Sequence, residues 1–189
     1  MTDIEEQRKR IIEAAMDVFA EFGFFRAPTQ LIAMRAGVSK GLIFWYFKGK
    51  DDLILEVASN ALPGEVINKC LEKNLTGTEL LRCVAESYIS KYSDTKMRNL
   101  MIHSISASTN YKPLQDMMKN TCSELLKKLT LKAFGEASKE NIIKIRAFFG
   151  ALLCFAIQKP TNINDKEYVD QLVSFIYSNK TTKKKRAKD

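Results

Sequence analysis

The 189-residue sequence contains few of the residues that interrupt regular structure, with eight glycines and four prolines. So few chain breakers argue against a collagen-like chain and against an all-β fold dense in turns, and favour long helices. The longest apolar run, from Ala147 to Ile157, has 11 residues and includes a glycine. A membrane-spanning helix needs about 20 apolar residues, so we expect no such helix and no membrane partner.

Histidine and cysteine are also scarce. His103 is the single histidine, so the chain has almost nothing from which to build a catalytic triad or a multi-histidine metal site. The four cysteines, Cys70, Cys83, Cys122 and Cys154, form no CxxC pair. Because the N-terminal residues MTDIEEQRKR are charged, we expect no secretory signal, a reducing cytoplasmic location and no disulfide framework. We interpret each cysteine as a small buried apolar residue, and predict no catalytic residues, metal or cofactor.

The composition is that of a folded chain with an uneven charge distribution. Apolar residues make up 46% of the chain, which excludes a disordered polypeptide. The net charge is +8, and residues 180–189 alone hold six basic residues and one acid. We interpret that segment as a disordered tail, either solvated or contributing nonspecific DNA affinity. A sharper signal lies between Arg26 and Lys50, where five basic residues occur without an acid, as in a phosphate-facing patch or a solvated surface.

Apolar residues recur at helical spacing along the whole chain, and no stretch alternates as a β-strand does. The pattern predicts an all-α fold of about nine helices, in which four compact helices precede five longer ones. The fourth of these helices is predicted to contain residues 53–62 and to bend at Pro63.

Residues 28–47 have the pattern of a helix-turn-helix, two short helices joined by a turn that contains glycine. Gly37 can adopt the positive φ that such a turn requires, and Ser39 is a suitable N-cap for the second helix. Phe44 and Trp45 fall on the outer face of that helix. Exposing two large aromatic side chains to water is unfavourable, so another surface is expected to cover them. They either enter the DNA major groove or pack on the C-terminal half of the chain. The inward residues predicted to form a small core are Ile32, Ala33, Val38, Ile43 and Phe47.

Residues 8–53 resemble the N-terminal domain of the TetR family of transcriptional regulators. The matching residues are Ile11, Ala14, Ala15, Phe19, Gly23, Phe24, Ile32, Ala33, Ala36, Gly37, Val38, Ser39, Gly41, Phe44, Tyr46, Phe47, Lys50 and Leu53. The motif covers about a quarter of the chain, and the remainder resembles the family only in helix pattern and length. The resemblance implies a three-helix DNA-binding domain, residues 1–50, followed by a larger helical domain for effector binding and dimerisation, residues 51–179, and then the tail.

Three departures from the family pattern affect the DNA contacts that the resemblance implies. Ala27 and Pro28 stand where the family usually has a threonine cap, which costs about 1 kcal/mol. Phe44 stands where the family usually has a tyrosine that contacts phosphate, although a phenyl ring can contact a thymine methyl group. Trp45 replaces a frequent histidine or tyrosine, and we interpret its contact as one of shape and methyl groups.

The resemblance also implies a role for individual positions in DNA binding. Phosphate contacts position the protein without reading sequence, whereas groove contacts read the bases. The predicted phosphate contacts are Thr29, Lys40, Tyr46, Lys48 and Lys50. The predicted base-facing residues are Gly41, Leu42, Phe44 and Trp45.

The segment from Ser138 to Gln158 is apolar on nearly every side, which predicts burial all round. One side can contact its own domain, and the other contacts either a second copy of the chain or more of the same core. The resemblance implies a second copy, because TetR-like proteins dimerise through their last two helices and read a palindrome with two recognition helices. The predicted interface residues are Ile145, Phe149, Leu152, Leu153, Leu172, Phe175 and Ile176.

A small effector bound within the C-terminal domain is a further implication of the resemblance. Methionine and aromatic side chains suit an irregular apolar cavity, although the same stripe is typical of ordinary core. This composition favours a hydrophobic effector. The predicted lining residues are Tyr88, Met97, Met101, Met117, Met118, Phe148 and Phe155.

The leading hypothesis is therefore a homodimeric, sequence-specific repressor of transcription that binds double-stranded DNA at a palindromic operator. A small hydrophobic effector would release it. The alternatives are an activator of the same fold and a ligand-independent or nonspecific DNA-binding protein, which the basic tail permits. A small helical enzyme is disfavoured because the chain has no glycine-rich phosphate loop, paired catalytic motif or metal-ligand spacing.

Overall fold

The computed structural model describes residues 3–178, and every regular element in that range is an α-helix. The ten helices of this range are α1 Asp3–Phe22, α2 Thr29–Ala36, α3 Lys40–Tyr46, α4 Lys50–Ala61, α5 Gly64–Glu72, α6 Gly77–Ser93, α7 Thr95–Ala107, α8 Lys112–Phe134, α9 Lys139–Ile157 and α10 Asp165–Tyr177. The all-α prediction is confirmed. Within the described residues, no helix combines the length and apolar character needed to cross a bilayer. The predicted tail, residues 180–189, lies outside the described range.

The described range holds one helix more than the sequence predicted, because the predicted fourth helix is two helices. α4 ends at Ala61, and Pro63 is the N-cap of α5. A proline lacks the backbone N–H that would continue a helix, and its ring disfavours helical geometry in the preceding residue. The chain therefore starts a new helix after Pro63, and the prediction of one bent helix was wrong.

Two hydrophobic cores organise the helices. One core is enclosed by α1–α4 and is completed by Leu100 and Ala107 of α7 and Leu114 of α8. The other lies among α5, α6, α8, α9 and α10, with Phe148 fully buried in it. The predicted domain boundary at residue 50 falls at the start of α4, whose buried residues belong to the first core. The division into domains stays a prediction, and α7 and α8 join the two halves by packing.

The cysteines differ from expectation. Cys70 of α5 and Cys83 of α6 form a disulfide, with their Cα atoms 6.0 Å apart. Cys122 is half-buried and Cys154 is exposed. The expectation of four unpaired, buried cysteines was therefore wrong. A separation of 13 residues carries no signal of proximity until the two helices are packed side by side.

Candidate nucleic-acid interface and ligand cavity

A tight turn joins α2 to α3, and its geometry depends on glycine. Gly37 has a φ of +65°, and a Cβ atom there would lie 2.9 Å from a guanidinium nitrogen of Arg10. The same guanidinium donates a hydrogen bond to the carbonyl oxygen of Ala36 at 2.7 Å, which satisfies the C-terminal end of α2. The turn predicted at Gly37 is confirmed, since its positive φ is a backbone conformation that residues with a side chain rarely adopt.

Ser39 begins α3 in the predicted way. Its hydroxyl oxygen accepts a hydrogen bond from the backbone N–H of Leu42 at 3.1 Å, which is N-cap geometry. The predicted small core is confirmed: four of its residues are buried in the first core, and Val38 packs at its edge. These contacts orient α3 on α1 and α2 and determine which of its faces points outward.

The outward face of α3 is open to solvent. Phe44 is 45% exposed and Trp45 is 68% exposed, and neither belongs to a hydrophobic core. The alternative that these rings pack on the C-terminal half is therefore wrong. The amine of Lys40 lies 5.9 Å from the centre of the Phe44 ring, so a cation and an aromatic surface are presented together. The other predicted base-facing residues are an exposed Gly41 and a half-buried Leu42.

Basic side chains near this face differ in how available they are to a phosphate. Arg35 forms an ion pair with Glu21 at 2.6 Å. Arg26, Lys40 and Lys48 are exposed and form no ion pair in the described part of the chain. The acid-free segment thus contributes three exposed, unpaired cations to the surface around α3.

Two of the predicted phosphate contacts are engaged within the protein. The hydroxyl of Tyr46 donates to the carbonyl oxygen of Ile4 at 2.9 Å, which ties α3 to α1. The amine of Lys50 donates to the carbonyl oxygen of Phe25 at 2.8 Å, and burial lowers the pKa of Lys50. Thr29, the first residue of α2, is half-buried beside a Pro28 N-cap that offers no side-chain hydrogen bond.

A family model described as "Bacterial regulatory proteins, tetR family" matches residues 11–57, which extend from α1 into α4. Residues 11–57 belong to the TetR family. The match contains the whole helix-turn-helix and the exposed face of α3. The family recognised from the sequence motif is therefore confirmed. This segment belongs to a class of transcription regulators that bind DNA.

Curated relatives match chiefly over this TetR domain. The HTH-type transcriptional regulator SrpR of Pseudomonas putida is 40% identical over 58 residues, which are 31% of this chain and 27% of SrpR. The fatty acid metabolism regulator protein of Bacillus subtilis is 32% identical over 84 residues, or 43% of each chain. The match thus spans less than half the length of either curated relative.

Solved structures extend the likeness to the fold as a whole. The transcriptional regulator FadR from Bacillus subtilis, in complex with stearoyl-CoA, superposes with a TM-score of 0.71. The superposition covers 90% of this chain and 98% of that one, at 18% sequence identity. The C-terminal helices therefore have a TetR-like arrangement, which the sequence motif does not reach.

The C-terminal half encloses a cavity of about 590 Å³, a volume typical of small-molecule sites. Four predicted residues line it: Tyr88 of α6, Met101 of α7, and Met117 and Met118 of α8. The hydroxyl of Tyr88 donates to the sulfur of Met101 at 3.2 Å, and burial raises the pKa of Tyr88. The other apolar lining residues are Leu62, Ile67, Ile105, Leu125, Leu126, Phe149 and Leu153.

The remaining predicted lining residues lie elsewhere. Met97 lines a different groove, which runs between α1, α4, α5 and α6. Phe148 and Phe155 are buried in the second core and do not reach the cavity. Phe149 and Leu153, predicted for a dimer interface, line the cavity in their place. The error lies in the rotation of α9 about its own axis. Because α9 is apolar all round, its sequence does not show which face points to the core and which to the cavity.

The other predicted interface residues also depend on how α9 and α10 are rotated about their own axes. Ile145, Leu152 and Ile176 are at most 3% exposed within the chain itself, so they cannot contact a partner directly. Leu172 is half-buried, and Phe175 is 76% exposed. The outer face of α9, which sequence reasoning missed, exposes Ile143, Ala147, Gly150, Cys154 and Ile157.

The cavity touches the helices that connect the two halves. Asn60 and Leu62, at the end of α4, line it, and their carbonyl oxygens accept hydrogen bonds from the Lys91 amine at 2.7 and 3.1 Å. The hydroxyl of Tyr92 donates to the carbonyl oxygen of Ala61 at 2.8 Å. Lys91 and Tyr92 thus hold all three carbonyls at the end of α4 against α6.

A second connection runs through the beginning of α8. Leu114 is fully buried in the first core, whereas Met117 and Met118 pack at the edge of that core and also line the cavity. Successive turns of one helix therefore contact the DNA-binding half and the cavity.

Proposed function

We propose that this chain is a homodimeric transcriptional repressor that binds a palindromic operator through α3 and is released by a small hydrophobic effector. The exposed Phe44–Trp45 face of α3 carries the proposal. Two large aromatic rings on a seven-residue helix, surrounded by unpaired cations, are costly unless a partner covers them. The DNA major groove accommodates such a helix and supplies both phosphates and thymine methyl groups.

The outer face of α9 supports a homodimer. Its exposed residues recur at i, i+4, i+7, i+11 and i+14, from Ile143 to Ile157, with Ala147 and Gly150 between them. Small residues allow two helices to approach closely, and the larger ones at the ends pack around them. Phe175 of α10 is the exposed aromatic residue of the neighbouring helix. A twofold dimer through α9 and α10 would hold two α3 helices at the spacing of two half-sites.

Release by an effector follows from where the cavity lies. A ligand that fills it presses on the last turn of α4 and on Met117 and Met118 of α8, both of which also contact the DNA-binding half. A shift of either helix changes the separation of the two α3 helices in the dimer. Ligand and operator would then favour different spacings, which is a coupling between two sites. The names of the Bacillus subtilis relatives, a fatty acid metabolism regulator and a stearoyl-CoA complex, support a ligand with an apolar chain.

The deciding experiment is selection of bound fragments from genomic DNA with the purified full-length protein. We expect a recurrent palindrome that binds about 10³-fold or more tightly than random DNA. Trp45→Ala should remove most of that preference. Uniform, steeply salt-dependent binding by both proteins would contradict the proposal and favour the nonspecific alternative. A reporter placed behind the selected palindrome distinguishes repression from activation by the sign of the change.

A further inference from the structure

A disulfide ties α5, which lines the cavity, to α6. It joins Cys70 of α5 to Cys83 of α6, whose Cα atoms are 6.0 Å apart. Proteins that bind genomic DNA act in a compartment that keeps thiols reduced, where a disulfide is usually transient, catalytic or redox-sensing. A static crosslink is therefore the less common role for such a bond, and the surroundings of the two sulfurs indicate a reactive pair.

The two sulfurs differ in exposure and in their neighbours. Cys70 is 1% exposed, whereas Cys83 is half-buried and its sulfur lies 3.7 Å from the amine of Lys73. An adjacent ammonium stabilises a thiolate, which is the form of cysteine that attacks an oxidant. Two acids of α6, Glu79 and Glu86, lie about one turn before and after Cys83, whereas the lysine contacts the sulfur itself. This arrangement makes Cys83 the attacking thiol and Cys70 the thiol that completes the disulfide.

We propose that Cys83 and Cys70 are a reactive pair that a hydroperoxide oxidises to the disulfide. The Cys83 thiolate attacks the terminal oxygen of the hydroperoxide, so that an S–O bond forms, the O–O bond breaks, and the alkoxide takes up a proton and leaves as an alcohol. The Cys70 thiol then attacks the sulfenic acid, and the S–S bond forms as water leaves with the thiol proton. The two thiols thus supply the two electrons that reduce one hydroperoxide, and a dithiol reductant reverses the change.

Oxidation changes one wall of the cavity. The disulfide ties α5 covalently to α6, whereas the reduced thiols leave it held by noncovalent contacts, and a crosslink restricts the chain between its ends. The effect on an effector rests on the proposed function, whereas the reaction of the pair does not. Six of the nine residues of α5 line the cavity: Gly64, Glu65, Ile67, Asn68, Lys69 and Glu72.

The first test follows the reaction in the full-length protein. The protein is reduced with dithiothreitol, freed of it, treated with one equivalent of tert-butyl hydroperoxide, alkylated and mapped by peptide mass spectrometry. We expect the Cys70–Cys83 disulfide to form about tenfold faster than N-acetylcysteine is oxidised, and dithiothreitol to reverse it. No disulfide between these residues, or one that dithiothreitol does not reduce in the folded protein, would overturn the proposal.

Single variants assign the two roles. In Cys70→Ser, the hydroperoxide should leave a sulfenic acid on Cys83 that dimedone traps, whereas in Cys83→Ser the buried Cys70 should give no adduct. An adduct on Cys70 alone would contradict this assignment. Lys73→Met should slow disulfide formation about threefold, and Lys127→Met, the same change at an exposed position of α8, should leave the rate unchanged. Equal rates for the two lysine variants would remove Lys73 from the site.

Hydrogen exchange measures the effect on the cavity wall. The amides of α5 should exchange about tenfold faster in the reduced protein than in the oxidised one, because the crosslink opposes local opening. Cys70→Ser should show the faster exchange under both conditions. Identical exchange in the two states of the unsubstituted protein would overturn the effect on the cavity. Because these experiments contain neither DNA nor an effector, they fail independently of the operator selection.

Discussion

The two halves of this protein differ in how much of their function is local. In the DNA-binding half, the turn, the cap and the exposed rings lie within about twenty consecutive residues, so spacing along the chain already defines their geometry. In the C-terminal half, the cavity is built from the end of α4 and from α5 to α9. The comparison teaches that a recognition helix can be read from its own sequence, whereas a cavity exists only after distant helices pack.

The largest effect is expected from two phenylalanines of the C-terminal half that are equally apolar but differently placed. Phe148→Ala should lower the free energy of unfolding by about 3–5 kcal/mol, because it empties a fully buried site. Phe175→Ala should change it by less than about 0.5 kcal/mol in the monomer. Urea unfolding at low protein concentration measures both changes. Sedimentation velocity follows the proposed dimer, which Phe175→Ala should weaken. A comparable loss for both variants would contradict the exposure of Phe175.

The second-largest effect concerns recognition of the operator sequence and not folding. Trp45→Ala should weaken operator binding about 10- to 100-fold, with little effect on random DNA, because its ring is free to enter the groove. Ile102→Ala, a truncation of an exposed apolar residue on α7, is the control. Fluorescence anisotropy with labelled operator and random duplexes measures the ratio. Equal losses on both duplexes would mean that Trp45 has no role in specificity.

Two glycines, one in each half, test how the backbone conformation at each position affects the free energy of unfolding. Gly37→Ala should lower the free energy of unfolding by about 1–2 kcal/mol, because φ is positive and the added carbon displaces the Arg10 guanidinium from its hydrogen bond to Ala36. Gly150→Ala should raise it by about 0.5–1 kcal/mol in the monomer, since α9 is helical there and no atom of a neighbouring helix lies within 4 Å of the added carbon. Thermal unfolding measures both. If the proposed dimer forms and Gly150→Ala weakens it, two α9 backbones approach closely at that position.

The smallest effect distinguishes two lysines of one surface. Lys48→Ala should reduce the salt dependence of DNA binding by about one phosphate contact, because Lys48 is exposed and unpaired. The sequence motif predicts the same loss for Lys50→Ala. The amine of Lys50 is bound to the Phe25 carbonyl, so we expect a smaller change in slope and a loss of stability in its place. Titrations at four salt concentrations give both slopes, and identical slopes would restore Lys50 as a phosphate contact.

Within the DNA-binding half, the predictions that held depend on rules confined to one turn or one helix. Gly37 has a positive φ, Ser39 caps α3, and Phe44 and Trp45 face outward as helical spacing requires. Tyr46 and Lys50 show the limit of the same reasoning. Both match the family motif, yet each side chain forms a hydrogen bond to a backbone carbonyl more than twenty residues away, which no local pattern contains.

The C-terminal half shows the complementary case, in which residue type is informative and residue position is not. Methionine and aromatic content indicated an apolar cavity, and Tyr88, Met101, Met117 and Met118 line one. Phe148 and Phe149 are neighbours in sequence, but one lies in the core and the other faces the cavity. Because α9 is apolar on every side, its rotation is set by the helices packed against it.

Local chemistry along the chain was enough to specify helices, most of their ends and the outward face of α3, because backbone propensity, capping and the 3.6-residue period act over a few residues. Packing alone decided which face of α9 is inside, which cysteines meet and which side chains line the cavity. Those features depend on contacts between different helices, and such contacts exist only once the helices have assembled.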